Sequence, residues 1–534
     1  MLNKTKYVVI TGGVISGLGK GIFTASLGKL LQSYGFNVVP IKIDPYMNVD
    51  AGTMNPIEHG EVFVLDDGSE VDMDLGTYER FLGINLRSEN NITTGKIYQK
   101  VIEKEREGKY LGKTVQIIPH ITDEVQSWVR KVAGDYNADI VLIEIGGTVG
   151  DIENLVFLEA CRQLSLKEDV AFVHCTLVPV LNVVGEQKTK PTQQSIQKLR
   201  EIGIMPHLIY CRAREPLKPK IKEKISLFCG VKEENVISGP DADSIYKVPL
   251  ILEEQQVTQK VLDKLGLHQR KKDMKEWKSL IDKMDKTRKT VNIAITGKYT
   301  ELHDSYVSIM ESLRASCCNL GVGLEIKWIE TTDIENRKIS AKEALKGIDG
   351  IIVPGGFGPR GTEGKIECIR YARENRIPFL GLCYGFQLAT IEFARNVCGL
   401  NKANSTEIDP KTPHPVIDLL PEQRRIYKKG GTMRLGGHDV IIKKGTKASR
   451  IYGTLKARER FRHRWELVPD YIAKIECKGL IFSGHDKSGK IMQILELPGH
   501  PFFMASQFHP EFTTRILKPN PLFFNFLKAA AKGE

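Results

Sequence analysis

The chain has 534 residues, 41% of them hydrophobic and 27% charged, a length that exceeds one core and predicts about two to four domains. No apolar run approaches the roughly 18 residues of a membrane span, and the start lacks the basic, apolar and small-residue succession of a secretory leader, so a cytoplasmic protein without a membrane partner is expected. The net charge of +12 forms no basic stripe interleaved with aromatics, which argues against nucleic acid, and the ten cysteines show neither CxxC nor zinc spacing.

Over residues 1–267, strand-like runs at Tyr7–Ile10, Val38–Ile43, Ile140–Ile145, Ala171–Val178 and His207–Tyr210 alternate with helical patterns. That alternation predicts a parallel sheet covered by helices. Residues 268–290 turn strongly charged and read as a linker or exposed helix. A second α/β series occupies residues 291–534, with strands expected at Val291–Thr296, Leu324–Ile329, Gly350–Val353 and Pro378–Leu382, and short strands and turns after residue 423. The expected fold class is therefore α/β, a P-loop-type parallel-sheet domain followed by a second α/β domain.

After the first strand comes Thr11-Gly-Gly-Val-Ile-Ser16-Gly17-Leu18-Gly19-Lys20-Gly21 and then a helical stretch from Ile22. Glycines let the backbone N–H groups and the helix start face a phosphate, and Lys20 adds a point charge. The loop departs from the usual pattern twice: Val14 stands where a glycine is normal, and Gly21 replaces the Ser or Thr that holds Mg²⁺. Metal ligands are then expected elsewhere, with Asp74 and Glu144 the candidates. Lys42-Ile-Asp44-Pro-Tyr46 ends the second strand, at the edge where such sheets bind ligands. Lys188-Thr189-Lys190-Pro191-Thr192-Gln193 reads either as a second anion site or as a basic surface loop.

In the second half, Cys383 lies between the apolar run Pro378–Leu382 and a helical start, with Gly381 and Gly385 beside it. That puts a sulfur at a helix N-terminus, the electropositive setting of reactive thiols. Downstream, Phe508-His509-Pro510-Glu511 supplies an imidazole and a carboxylate two positions apart, which on an extended segment share a face. Together they read as a Cys-His-Glu triad of nucleophile, proton carrier and orienting acid.

These strings, with Lys42–Asp50, Gly60-Glu-Val-Phe-Val64, Gly146–Glu153 and Gly355-Gly-Phe-Gly358, occur in one order over essentially the full length, and the chain resembles the CTP synthase family. The resemblance implies an amidoligase domain joined to a class I glutamine amidotransferase α/β domain, aminating UTP at the expense of ATP through a 4-phosphorylated intermediate. It implies ATP binding by Gly17, Leu18, Gly19, Lys20, Gly21, Ile22 and Asp74, with Pro240, Asp241 and Ala242 near adenine. Asp74 and Glu144 would hold Mg²⁺, and Lys20 and Lys42 would serve phosphoryl transfer. UTP would meet Ser16, Lys188, Thr189, Lys190, Pro191, Thr192, Gln193 and Lys224, and the feedback inhibitor CTP the same residues with Asp151, Ile152 and Glu153. Glutamine would be held by Gly356, Tyr384, Gly385, Phe386, Gln387, Glu407 and Arg464. GTP as activator and a homotetramer are further implications. Gly17, Tyr384, Phe386, Val307 and the Pro240–Ala242 segment differ from the residues common in bacterial members. Two other readings remain open at this point: another ATP-dependent amidotransferase, as in cobyrinic acid amidation, or a P-loop switch or scaffold with a vestigial glutaminase half.

Overall fold

The computed structural model describes residues 4–54, 60–181, 185–287, 289–297, 303–419 and 433–532. By its contacts the chain divides into two units, Met1–Ala51 with Asp74–Glu276, and Gly52–Met73 with Trp277–Glu534. One feature of this division is invisible in the sequence: residues 52–73 leave the first half to join the second unit. The charged stretch contains a helix, Lys275–Asp285, as one of its two readings allowed, but a face of it is buried, through Trp277, Leu280 and Ile281. No helix among the described residues is long and apolar enough to cross a membrane.

The first unit is built on seven parallel strands, β1 Lys6–Gly12, β2 Val38–Asp44, β3 Asn91–Thr93, β4 Ile140–Ile145, β5 Val170–Leu177, β6 Leu208–Ala213 and β7 Val236–Pro240. Their order across the sheet is β7-β6-β5-β1-β4-β2-β3. Every residue of β2 and β4 is buried, as helices on both faces require, and this is why their sequences run apolar without alternation. The polar exceptions fall near the carboxyl ends. Register puts Lys42 beside Glu144 and Thr11 beside His174, so side chains from separate strands meet at one edge.

The second unit holds a nine-stranded sheet. Its strands are β8 Thr290–Gly297, β9 Gly323–Glu330, β10 Gly350–Val353, β11 Phe379–Leu382, β12 Arg434–Ile442, β13 Lys456–His463, β14 Ile481–His485, β15 Met492–Glu496 and β16 Phe503–Ser506, in the order β9-β8-β10-β11-β16-β15-β14-β12-β13. The first five are parallel and the rest antiparallel. Neighbouring residues serve opposite cores: Phe379 and Phe503 pack on one face, Leu380 and Met504 on the other. A small hairpin, Phe63–Val64 paired with Glu70–Val71, belongs to this unit.

Candidate active sites

The phosphate loop connects β1 to the helix Lys20–Ser33. Gly17 and Gly19 adopt φ of 73° and 82°, and so does Val14, at 81°. Where the sequence departs from glycine, a β-branched residue thus carries left-handed backbone, which sterics disfavour. Lys20 is buried, its Nζ donating to the carbonyl of Gly147 at 3.0 Å. Burial lowers its pKa, against the pull of Glu144.

The second departure has a structural reason. A Cβ on Gly21 would run into the Asp74 carboxylate, so the acid lies where a Ser or Thr side chain would otherwise project. Lys42 Nζ donates to Asp74 and, at 2.8 Å, to Glu144 Oε1, while Tyr78 donates its hydroxyl to Glu144 Oε2 at 2.5 Å. Burial works to lower the Lys42 pKa, but Asp74 and Glu144 outweigh it and hold the ammonium charged. Nearby Asp44 accepts from Asn91 Nδ2 at 2.8 Å, and burial raises its pKa to about 6. His174 bridges Thr11 Oγ1 at 2.8 Å and Ser195 Oγ at 2.7 Å, and burial, with Lys20 nearby, pushes it down to about 3.

The remaining expected nucleotide residues differ in exposure. Ser16 and Gly17 are exposed, Leu18 is buried, and Ile22 is half-buried. Lys188–Gln193 is not a loop throughout: Lys190, Pro191, Thr192 and Gln193 open the helix Lys190–Glu201, with Thr189 at its N-cap. Thr189 and Thr192 are buried; Thr192 donates to the carbonyl of Leu177 at 3.1 Å, and Gln193 Nε2 to Thr189 Oγ1 at 3.0 Å. Lys188 pairs with Glu186 at 2.5 Å. Lys224, Asp151, Ile152 and Glu153 are exposed, Asp151 accepting from the Thr148 amide at 2.9 Å. Arg212, which sequence reasoning missed, donates to the carbonyls of Gly239 and Pro240 and pairs with Asp241 at 2.8 Å, while Ala242 is exposed. Its signal was a cation near the carboxyl end of a strand.

In the second unit Cys383 stands between β11 and the helix Tyr384–Asn396 with φ 50° and ψ −92°, a strained turn of the kind that presents nucleophiles. The flanking glycines follow from this geometry. A Cβ on Gly385 would strike the carbonyl of Val353, and one on Gly381 would lie 2.8 Å from Ala505 Cβ. The Cys383 amide donates to the Ser506 carbonyl at 2.7 Å, and Gln507 Nε2 approaches Sγ at 3.7 Å. His509 Nδ1 meets Glu511 Oε1 at 2.7 Å, leaving Nε2 buried with no hydrogen-bond partner among the described residues. A Cβ on Gly355 would touch both His509 Cε1, at 3.0 Å, and Cys383 Cβ, at 3.8 Å, so imidazole and thiol flank one glycine. Burial would lower the His509 pKa, yet Glu511 and Cys383 push it up to about 10, favouring imidazolium beside sulfur.

Around this pair, Gly356 is exposed, and Tyr384 donates to the Gly358 carbonyl at 3.0 Å. Glu407 accepts from the Gly358 amide at 3.0 Å. Gln387 Nε2 donates to the Trp465 carbonyl at 2.9 Å, and Arg464 is half-buried on the adjoining chain. Phe386 is fully buried among core residues, so its side chain serves packing and only its backbone faces the elbow. Sequence reasoning missed Gln507 and Lys365, a buried lysine whose ammonium lies 5.3 Å from the centre of the Tyr384 ring.

The hairpin of residues 63–71 reaches β13 and Phe512, next to this pair. Arg458, Arg460 and Arg462 alternate along β13: Arg458 pairs with Asp66 at 2.8 Å, Arg460 Nη1 donates to the Val64 carbonyl at 3.1 Å, and Arg462 Nε pairs with Glu70 at 2.7 Å. The same strand's backbone contacts two members of the candidate triad, since the Arg460 carbonyl accepts from the His509 amide at 2.8 Å and the Arg462 carbonyl lies 3.7 Å from Cys383 Sγ. Phe63 meets Phe512 edge-on at 5.1 Å, and Phe512 stacks on His509 at 5.0 Å.

Residues 6–267 match the family model for the CTP synthase N-terminus, and residues 301–529 match glutamine amidotransferase class-I. CTP synthase of Archaeoglobus fulgidus is 57% identical over 530 residues, 99% of this chain and 98% of that protein. The chain belongs to the CTP synthase family. CTP synthase of Thermococcus gammatolerans is 56% identical, covering 98% of both chains. The solved glutaminase domain of Trypanosoma brucei CTPS with bound acivicin is 37% identical, spanning 46% of this chain and 95% of that one with a TM-score of 0.43. As a CTP synthase the protein is a ligase that converts UTP to CTP with ATP and glutamine.

Proposed function

We propose that the reaction runs in two halves. In the second unit Cys383 Sγ attacks the amide carbon of glutamine, and backbone N–H groups near Gly356 and Tyr384 stabilise the oxyanion. His509 gives its proton to the departing ammonia, leaving a thioester; it then takes a proton from water, whose hydroxide releases glutamate and restores the thiol. Glu511 fixes the imidazole orientation. Tyr384, Gly385, Gln387, Glu407, Arg464, Gly356 and the Phe386 backbone bind glutamine.

In the first unit the uracil O4 of UTP receives the γ-phosphoryl group of ATP, ammonia adds at C4, and phosphate leaves. Lys20 and Lys42 neutralise charge on the phosphoryl group in transfer. ATP lies along Gly17–Ile22 with adenine near Pro240, Asp241 and Ala242, joined here by Arg212. UTP uses Ser16, Lys188–Gln193 and Lys224, and CTP as feedback inhibitor adds Asp151, Ile152 and Glu153. Asp74 and Glu144 fit Mg²⁺: both are hard oxygen donors gathered about a single cationic group, Lys42 Nζ, and Gly21 leaves room for the first of them. When bound, the ion supplies neutralisation of phosphate charge. GTP activation and a homotetramer belong to the same reading.

The observation that carries this reading is the meeting of Lys42, Asp74 and Glu144 beside the phosphate loop. UTP labelled with ¹⁸O at position 4 tests it. The label is expected in inorganic phosphate, one atom per CTP; unlabelled phosphate would overturn activation at O4.

A further inference from the structure

Beyond both reaction halves, we propose that Cys398 and Cys477 are a thiol-modification site that closes to a reversible disulfide. Eight of the ten cysteines, all but Cys398 and Cys477, are buried, and burial pushes thiols such as Cys161 and Cys368 up to about 12, where thiolate is scarce. Cys398 is half-buried and Cys477 exposed. They lie far apart in sequence yet share a partner: Cys398 Sγ points at the Lys474 carbonyl oxygen at 3.8 Å, and Cys477 Sγ at the same oxygen at 3.1 Å. The two sulfurs are therefore separated by no more than those two distances together. Burial raises the Cys398 pKa, and the neighbouring Cys477 adds to the rise while Lys478 opposes it.

The two residues sit at ends of helices. Cys398 follows the helix Tyr384–Asn396, whose other end presents Cys383, and Cys477 is the C-cap of Ile472–Glu476. Both sulfurs converge on one carbonyl oxygen, and a bond of roughly 2 Å requires the exposed Cys477 side chain to turn toward Cys398. Exposure makes Cys477 the first to react. Its thiolate attacks glutathione disulfide, forming a mixed disulfide and releasing one glutathione thiolate; the Cys398 thiolate then attacks the Cys477 sulfur and expels the second. Two protein thiols are oxidised and one glutathione disulfide is reduced to two thiols. The bridge ties the end of the nucleophile helix to the Ile472–Glu476 helix by closing a long loop, which constrains the unfolded chain. It lies a helix length, about 20 Å, from Cys383, so it acts on stability and not on the amide chemistry.

The full-length protein is incubated with glutathione disulfide, alkylated and mapped by mass spectrometry. A cross-linked peptide pair containing Cys398 and Cys477 is expected, reversed by dithiothreitol and absent from Cys477→Ser and Cys398→Ser. Oxidation is expected to raise the melting temperature by about 5 °C in wild type and not in Cys398→Ser. Complete alkylation of both thiols after oxidation, or glutathione retained on Cys477 without a bridge, would overturn the proposal.

Discussion

In the first unit the proposed catalytic groups are held by one another: Lys42 lies between Asp74 and Glu144, and Tyr78 braces Glu144. In the second they are held by backbone: Cys383 sits on a strained turn walled by Gly381, Gly385 and Val353, and the carbonyls of β13 reach the His509 amide and the Cys383 sulfur. A mutually compensating charge cluster tolerates backbone change but not the loss of one charge, because a buried partner is left unpaired. A backbone-held nucleophile responds to changes in whatever positions the strand.

Lys42→Met tests the first kind. It is expected to lower CTP formation by about a thousandfold with glutamine and with ammonia alike, while glutamine hydrolysis persists. Equal loss of hydrolysis would mean that the two units do not keep separate chemistries. Glu511→Gln is expected to cost the glutaminase about a hundredfold in kcat and leave ammonia-dependent CTP formation intact, measured by glutamate release against CTP absorbance.

The same substitution has a pH signature. The folded His509 pKa, about 10, exceeds the unfolded value of about 6.5, so its ion pairing contributes stability that is complete below the unfolded pKa and fades as pH rises through the folded one. Denaturation of wild type and Glu511→Gln should differ most at acid to neutral pH and converge toward pH 10. A constant difference across that range would contradict the charged-imidazole account.

Glu70→Gln probes positioning by the hairpin. Glutaminase kcat should fall by about tenfold as Arg462 loses its partner, with ammonia-dependent activity unchanged. No change would reduce the arginine row on β13 to a purely structural contact. The smallest effect is expected from Val14→Gly, which relieves left-handed backbone at a β-branched residue and should raise the melting temperature by about 2 °C.

Much of this was legible in the sequence because the long parallel strands are buried on both faces and so read as continuous apolar runs. Gly350–Val353 is observed as expected, and Val291–Thr296 extends by one residue at each end. Asn91–Thr93 and Val236–Pro240 escaped, one being three residues of mixed polarity and the other ending in Gly-Pro. The hairpin escaped for a similar reason: its strands have two residues each, and its place is fixed by partners such as Arg458 that are distant in sequence. Cys383, His509 and Glu511 stood out as candidates because reactive residue types lay beside glycines and proline, and the fold brings the three together. Gln507 and Lys365 did not stand out, since a lone amide or cation carries no local pattern, and Arg212 offered only its place near the carboxyl end of a strand. Phe386, which the resemblance places among the glutamine-binding residues, turns its ring into the core.

The central claim, two chemistries in one chain with Cys383 serving only one of them, is tested most directly by CTP formation with Cys383→Ala, given UTP, ATP and Mg²⁺ with either glutamine or ammonia. The account predicts no CTP from glutamine and wild-type rates from ammonia. CTP from glutamine at the wild-type rate, or none from ammonia in a folded variant, would contradict it.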